Sequence, residues 1–214
     1  MKSVIVVIPA YNEEKTIKNV LNSLIKYDID IVVVDDGSSD KTSLIANKMG
    51  VATLINNKNI GYDKTLERGL FYGIQKGYKY AITMDADGQH PVEDINYFIK
   101  SFNEGYALVI GIRGKLQRIS EYIFASYAKL MWGIVDPLCG MKGYKLSCLE
   151  EFRYFDSYKS MGTEFAIRLV KSGIKKKQFR LSRVIDRADE SRLGSSIKAN
   201  MYILKSLIYG IIKT

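Results

Sequence analysis

Asp85 and Asp87 are the residues of this chain best suited to chemistry. They stand in Asp85-Ala86-Asp87-Gly88-Gln89-His90-Pro91, directly after the apolar run Tyr80-Ala81-Ile82-Thr83-Met84. In extended backbone, side chains at i and i+2 project to the same side. A strand running into Asp85 therefore delivers two carboxylates together, where the chain leaves a sheet. Two acids so close repel each other unless a cation sits between them. Hard oxygen ligands on one edge, with the rest of the shell open, suit Mg²⁺ or Mn²⁺ shared with a substrate phosphate. Gln89 offers a third, neutral oxygen. The triplet alone also occurs as solvated loop acids or a helix N-cap, so its meaning depends on the elements around it.

Along the chain, short β-rich runs alternate with helical patterns, as in a mainly parallel α/β sheet. Strands are expected at 4–8, 31–34, 52–55, 78–84 and 106–110. Helices are expected at 13–25, where Ile17, Val20, Leu21 and Leu24 share a face, and at 39–49, 60–76 and 92–103. Ligands of such sheets bind at the carboxyl ends of the strands. Pro9-Ala10-Tyr11-Asn12, Asp35-Asp36-Gly37-Ser38 and residues 85–89 all fall there, so three polar clusters converge on one crevice. No repeat, linker or low-complexity stretch intervenes, and residues 1–214 read as one domain.

With 214 residues, 47% of them hydrophobic, the chain is long enough for one sizeable core. A net charge of +9 admits nucleic acid, an anionic membrane surface or phosphorylated small molecules as partners. No nucleic-acid module is present and the tyrosines are dispersed, so no nucleic acid is expected. Lys175-Lys176-Lys177 reads as solvated surface. Cys139 and Cys148 are too few for a disulfide framework and lack metal-ligand spacing; they read as buried thiols in a reducing compartment. The apolar start ends at Pro9 with no cleavage site, as a buried strand would and a signal peptide would not. No stretch reaches the roughly 18 uncharged apolar residues of a membrane span, so a cytoplasmic location is expected.

Val7-Ile8-Pro9-Ala10-Tyr11-Asn12-Glu13-Glu14, then Val33-Val34-Asp35-Asp36-Gly37-Ser38-Ser39-Asp40-Lys41-Thr42, then residues 85–91 resemble the inverting nucleotide-sugar glycosyltransferases of family 2. The resemblance implies a GT-A fold, a single α/β domain with a mainly parallel central sheet flanked by helices. Residues 1–112 would form its nucleotide-sugar-binding half and 113–214 its acceptor-binding half. The chain is most similar to the dolichol-phosphate mannosyltransferase group, whose form of the metal motif is residues 85–91. Gly111-Ile112-Arg113 resembles that group's Gly-x-Arg segment, and Asp136-Pro137-Leu138-Cys139-Gly140-Met141-Lys142 its Asp-x-x-(Thr/Cys)-Gly stretch. Asp186-Arg187-Ala188-Asp189-Glu190-Ser191-Arg192-Leu193-Gly194 resembles its Arg-x-x-Gly-Glu-Ser-Lys-Leu segment.

The resemblance implies an inverting, metal-dependent transfer of a hexose, first of all mannose from GDP-mannose, to a polyprenyl or dolichyl phosphate. It assigns the nucleotide sugar to Pro9, Tyr11, Glu13, Asp35, Asp36, Asp63, Asp85 and Ala86. Mg²⁺ or Mn²⁺ falls to Asp85, Asp87 and Gln89. The acceptor phosphate falls to Arg113, Arg118, Arg187, Ser191 and Arg192, with Asp87, Arg113 and Arg187 as the catalytic set. A cation at the carboxylates would neutralise charge developing on the leaving β-phosphate. Arginine supplies bidentate donors for a lipid phosphate. Such an acceptor, with a second pKa near ~6, already carries its oxyanion and requires no general base. A hydroxyl acceptor would require one, from Glu164 or Asp136. His90, the single histidine, reads as a turn residue packed before Pro91. Plain structural readings stand beside these roles: a turn and helix N-cap at 36–39, a strand end and helix start at Pro9 and Asn12, and a solvated basic loop at Ser191-Arg192.

Asp63, in Gly61-Tyr62-Asp63-Lys64-Thr65, replaces a glycine of the family's Gly-x-Gly-x-Ala and leaves the donor base open. The loop at Asp189-Glu190 also lacks the family's glycine. The nearest rival is a family 2 transferase using UDP-glucose or UDP-N-acetylhexosamine, with a lipid-phosphate or hydroxyl acceptor. A nucleotidyltransferase would carry a Gly-rich basic loop after its first strand, which Pro9-Ala10-Tyr11-Asn12 is not. A non-catalytic nucleotide-sugar-binding subunit is the reading from another class. Ile119, Ile123, Tyr127, Leu130, Met131 and Ile134 recur at helical spacing, as do Ile197, Met201, Leu204, Ile208 and Ile211 beside Lys198, Lys205 and Lys213. Such helices suit either a membrane headgroup region or an ordinary core. A polyprenyl acceptor calls for the former, so peripheral contact with the cytoplasmic face of a membrane is expected, direct or through a membrane-protein partner.

Overall fold

Val4–Ala10 (β1) is buried at every position, as befits an apolar strand covered on both faces. In this computed structural model, which describes residues 3–152, 155, 160–183 and 196–213, β1 pairs in parallel with Asp30–Asp35 (β2) and Tyr80–Thr83 (β4). Ala52–Ile55 (β3) lies beyond β2, while Lys142–Lys145 (β6), Leu108–Ile112 (β5) and Lys176–Arg180 (β7) continue past β4. The seven strands run in the order β3-β2-β1-β4-β6-β5-β7. Only β6 is antiparallel to its neighbours; the other pairings are parallel. The expected mainly parallel sheet flanked by helices is what forms.

Alternation along β1 divides the core. Val4, Val6 and Ile8 face Ile17–Leu24 (α1), Thr42–Lys48 (α2) and Ile95–Asn103 (α4). Ile5 and Val7 face the layer of Tyr62–Gln75 (α3), Ile119–Trp132 (α5), Leu146–Phe152 (α6), Thr163–Lys171 (α7) and Ser196–Lys213 (α8). Helix α3 lies so close to the sheet that a Cβ at Gly69 would stand 2.3 Å from Val7 Cγ1. The first helix begins at Ile17 and not at residue 13, because the Glu13 and Glu14 amides donate to Thr42 Oγ1 at 2.7 Å and Asp40 Oδ2 at 3.0 Å. Those bonds pin the start of α1 to the start of α2.

Two strands escaped the sequence reading. Lys176 and Lys177, expected to be solvated surface, belong to β7 at the edge of the sheet. Lys177 Nζ donates to Glu104 at 2.5 Å and stands over the rings of Tyr97 and Tyr106. Lys-Lys-Gln-Phe-Arg lacks the apolar alternation that marks a strand, and an edge position tolerates lysine for that reason. The other is β6. Because β4 and β5 both run opposite to β6, and β7 runs with β5, the carboxyl ends of β1, β2, β4, β5 and β7 share one edge of the sheet. The amino end of β6 lies there too.

Candidate active site

A cavity of about 1120 Å³ opens along that edge. Its acidic end is the turn that leaves β4. The Asp85 amide donates to His90 Nδ1 at 3.1 Å, folding residues 85–90 back on themselves. Asp85 Oδ1 accepts the Tyr62 hydroxyl at 2.6 Å, and Oδ2 lies 3.7 Å from His90 Nε2. A Cβ at Gly140 would stand 2.5 Å from Asp85 Oδ2, so only glycine leaves this carboxylate its place. Burial, and then the Asp85 charge, push the Tyr62 hydroxyl well above the ordinary phenol range; it remains a donor. Asp87 Oδ1 accepts the Gln89 amide at 3.1 Å. Asp85, Ala86, Asp87, Gln89 and His90 all line the cavity. His90 is packed before Pro91 as expected, and it also fixes the carboxylate turn.

Among the described residues no group of three or more His, Cys, Asp or Glu gathers to hold a metal ion. Asp85 and Asp87 with Gln89 are instead an open set of hard oxygen donors. Such a set fits Mg²⁺ or Mn²⁺ completed by substrate oxygens and does not fit a closed structural site.

Pro9, Tyr11, Glu13, Asp36 and Asp63 line the neighbouring wall. Asp36 accepts the Ile60 and Gly61 amides at 2.8 and 2.9 Å and Asn56 Nδ2 at 2.8 Å, which shapes the loop into α3. Asp35 is 1% exposed and accepts the Ser38 amide at 2.8 Å; it stands behind the residues that line the cavity. Asp63 accepts the Gly162 amide at 3.0 Å and ties α3 to the start of α7. The Asp63 carboxylate is thus held by a main-chain donor.

The basic end follows β5. Arg113 donates through its amide and Nε to Asp136 Oδ2 at 3.0 and 2.8 Å, and through Nη2 to Oδ1 at 2.9 Å. Nη2 also lies 3.2 Å from Glu121, which Arg118 approaches at 3.3 Å. Burial opposes the Arg113 charge, but the hydrogen bonds and charge of Asp136 hold its pKa above the ordinary value. Arg113, Arg118 and Glu121 line the cavity; Asp136 and Glu164 do not. Beneath them Lys142, fully buried, donates to the Cys139 carbonyl at 2.5 Å and the Met161 carbonyl at 3.0 Å. Burial lowers its pKa.

Sequence reasoning missed Tyr62, Glu121 and three further cations at the cavity, Lys115, Arg180 and Arg183. The end of a recognised β7 would have pointed to Arg180. Arg187, Ser191 and Arg192 lie outside the described residues.

Residues 5–145 match the family model described as Glycosyl transferase family 2. A UDP-N-acetylglucosamine–dolichyl-phosphate N-acetylglucosaminyltransferase of Methanococcus voltae is 37% identical, over 53% of this chain and 53% of its own length. A dolichyl-phosphate hexose transferase of Haloferax volcanii is 30% identical, over 76% of this chain and 75% of its own. Among solved structures, glucosyl-3-phosphoglycerate synthase from Mycobacterium tuberculosis, in complex with Mn²⁺, UDP and phosphoglyceric acid, aligns with a TM-score of 0.76. It is 19% identical, covers 96% of this chain and 78% of its own, and speaks to the fold. Because the family match runs from β1 to the end of β6 and takes in both carboxylates and Arg113, this chain belongs to glycosyl transferase family 2 and has its GT-A fold.

Proposed function

We propose that this chain transfers a hexose, with inversion, from a nucleoside diphosphate sugar to a polyprenyl phosphate, and we favour mannose from GDP-mannose. The observation that carries the reading is one cavity with an open carboxylate pair at one end and an arginine pair at the other. Residues 1–112 then serve as the donor half and 113–214 as the acceptor half.

Pro9, Tyr11, Glu13 and Asp36 frame the nucleotide, and Tyr62 and His90 hold Asp85 toward it. Asp85, Asp87 and Gln89 would hold a divalent cation, which would supply positive charge where the leaving diphosphate becomes negative. Arg113 and Arg118 offer planar donors to the acceptor phosphate, with Arg187, Ser191 and Arg192 proposed as further contacts. The phosphate oxyanion attacks the anomeric carbon as the bond to the diphosphate breaks. No side chain needs to take a proton; Asp136 and Glu164, the two bases named for a hydroxyl acceptor, stand outside the cavity lining, and Glu121 is paired with both arginines.

The names of both relatives carry dolichyl phosphate, which supports the acceptor. They carry different sugars, so the donor base rests on the 85–91 motif alone. UDP-N-acetylglucosamine is the second reading, favoured by the Methanococcus relative and by Asp63. Transfer from labelled GDP-mannose, UDP-glucose and UDP-N-acetylglucosamine to a short-chain polyprenyl phosphate, against the matching polyprenol, tests both points. Metal-dependent product on the phosphate, from GDP-mannose, is expected. Product from a UDP-sugar replaces the donor; product on polyprenol alone, or none from any donor, overturns the proposal.

A further inference from the structure

Fourteen large apolar side chains are exposed among the described residues, and ten of them lie on α5 and α8. Leu130 is 83% exposed, Ile119 78%, Ile197 75% and Met201 66%. These two helices pack on each other, and the Ser120 amide donates to Asn200 Oδ1 at 3.2 Å. Each already has a buried apolar face, with Phe124, Ala128 and Trp132 on α5 and Ala199, Ile203 and Leu207 on α8. The apolar spacing visible in the sequence therefore marks mostly the outward side, not the core side. A solvated helix would carry polar residues there.

Among the described residues of these two helices, the exposed charge has one sign. Lys115, Lys129, Lys198 and Lys205 are exposed beside the apolar face. The two helices hold a single acid, Glu121, which is 4% exposed and turned toward Arg113 and Arg118. The same helices form a wall of the cavity: Arg118 and Glu121 line it from α5 and its cap, Tyr202 and Ile203 from α8. No described helix is long and apolar enough to cross a membrane.

We infer that the outer face of α5 and α8 seats in the headgroup region of an anionic bilayer, with the arginine end of the cavity at the level of the lipid phosphates. Apolar side chains enter the acyl boundary, and lysines reach outward to the phosphates. A second copy of this chain fits poorly, since two such faces would set lysine against lysine. The purpose of the surface rests on the polyprenyl-phosphate reading: an acceptor anchored by its tail reaches Arg113 and Arg118 without leaving the bilayer. Its existence is measured separately.

The test is co-sedimentation of the full chain with vesicles of phosphatidylcholine, with and without phosphatidylglycerol, lacking polyprenyl phosphate and sugar donor. Wild type should partition onto the phosphatidylglycerol vesicles and leave them as salt rises. The double variant Leu130→Glu/Met201→Glu should bind at least about tenfold less, with its thermal midpoint and its transfer to a water-soluble short-chain acceptor unchanged. Equal binding by the variant, or none by wild type, overturns the inference. So does a concentration-dependent dimer that Leu130→Glu dissolves while vesicles remain unbound. Vesicle binding without transfer to any polyprenyl phosphate would remove the proposed function and leave the docking face standing; transfer to the short-chain acceptor without vesicle binding would do the reverse.

Discussion

At the carboxylate end of the cavity, acids are held by neutral donors; at the arginine end, cations are held by acids. Asp85 rests on the Tyr62 hydroxyl, Asp36 on two amides and Asn56, Asp63 on the Gly162 amide. The acids named there accept from uncharged donors, and Arg183 lines the cavity with Asp87. Arg113 and Arg118 instead meet Asp136 and Glu121, so two positive charges face two negative ones. The acids fix the guanidinium planes, and the phosphate proposed to bind there would compete with Glu121 for them. One end gathers acids, and the other fixes geometry.

The largest expected effect breaks the first half of that contrast. Asp87→Asn removes one carboxylate and should lower transfer by about 10²- to 10³-fold with the urea midpoint nearly unchanged. Near-normal transfer would mean that this carboxylate has no use in transfer. Next is Asp136→Asn, which leaves a mostly buried Arg113 with Glu121 alone and should cost about 3 kcal/mol in urea unfolding. Asp36→Asn, at the amide-held end, should cost about 1–2 kcal/mol; equal losses would erase the distinction. Tyr62→Phe should cost about 1 kcal/mol and alter the response to alkali. The Tyr62 pKa is raised in the fold, so its contribution is complete below the unfolded phenol value and fades above about pH 10. Wild type should therefore lose more stability than the variant over that alkaline range. The smallest effect is at the thiols: Cys139, with its pKa pushed up to about 12 by burial and the Asp136 charge, and Cys148, also buried, should resist alkylation in the native protein and react on unfolding.

The same contrast governs what the sequence reveals. The residues of the acidic end are contiguous, since each motif sits where one parallel strand ends, and Pro9, Tyr11, Asp36, Asp85 and Asp87 were legible as cavity lining for that reason. Asp35, named together with Asp36, is buried, and Asp36, one residue on, takes the cavity-facing place. The basic end is assembled from distant pieces. Its antiparallel β6 follows a long excursion through α5, β7 carries one apolar residue, and Arg180 gains meaning only as a strand end. Lys142, named from the sequence only as the end of the 136–142 stretch, is a buried lysine that ties the Cys139 and Met161 carbonyls together.

In the proposed function, Asp85 and Asp87 would meet the donor diphosphate through a divalent cation. Anomalous diffraction from crystals soaked with Mn²⁺ and GDP or UDP tests it most directly. A peak about 2.1 Å from an Asp87 oxygen and from a β-phosphate oxygen is the expected result. Nucleotide bound in the cavity with Mn²⁺ absent from the carboxylates, or a peak elsewhere, would contradict it.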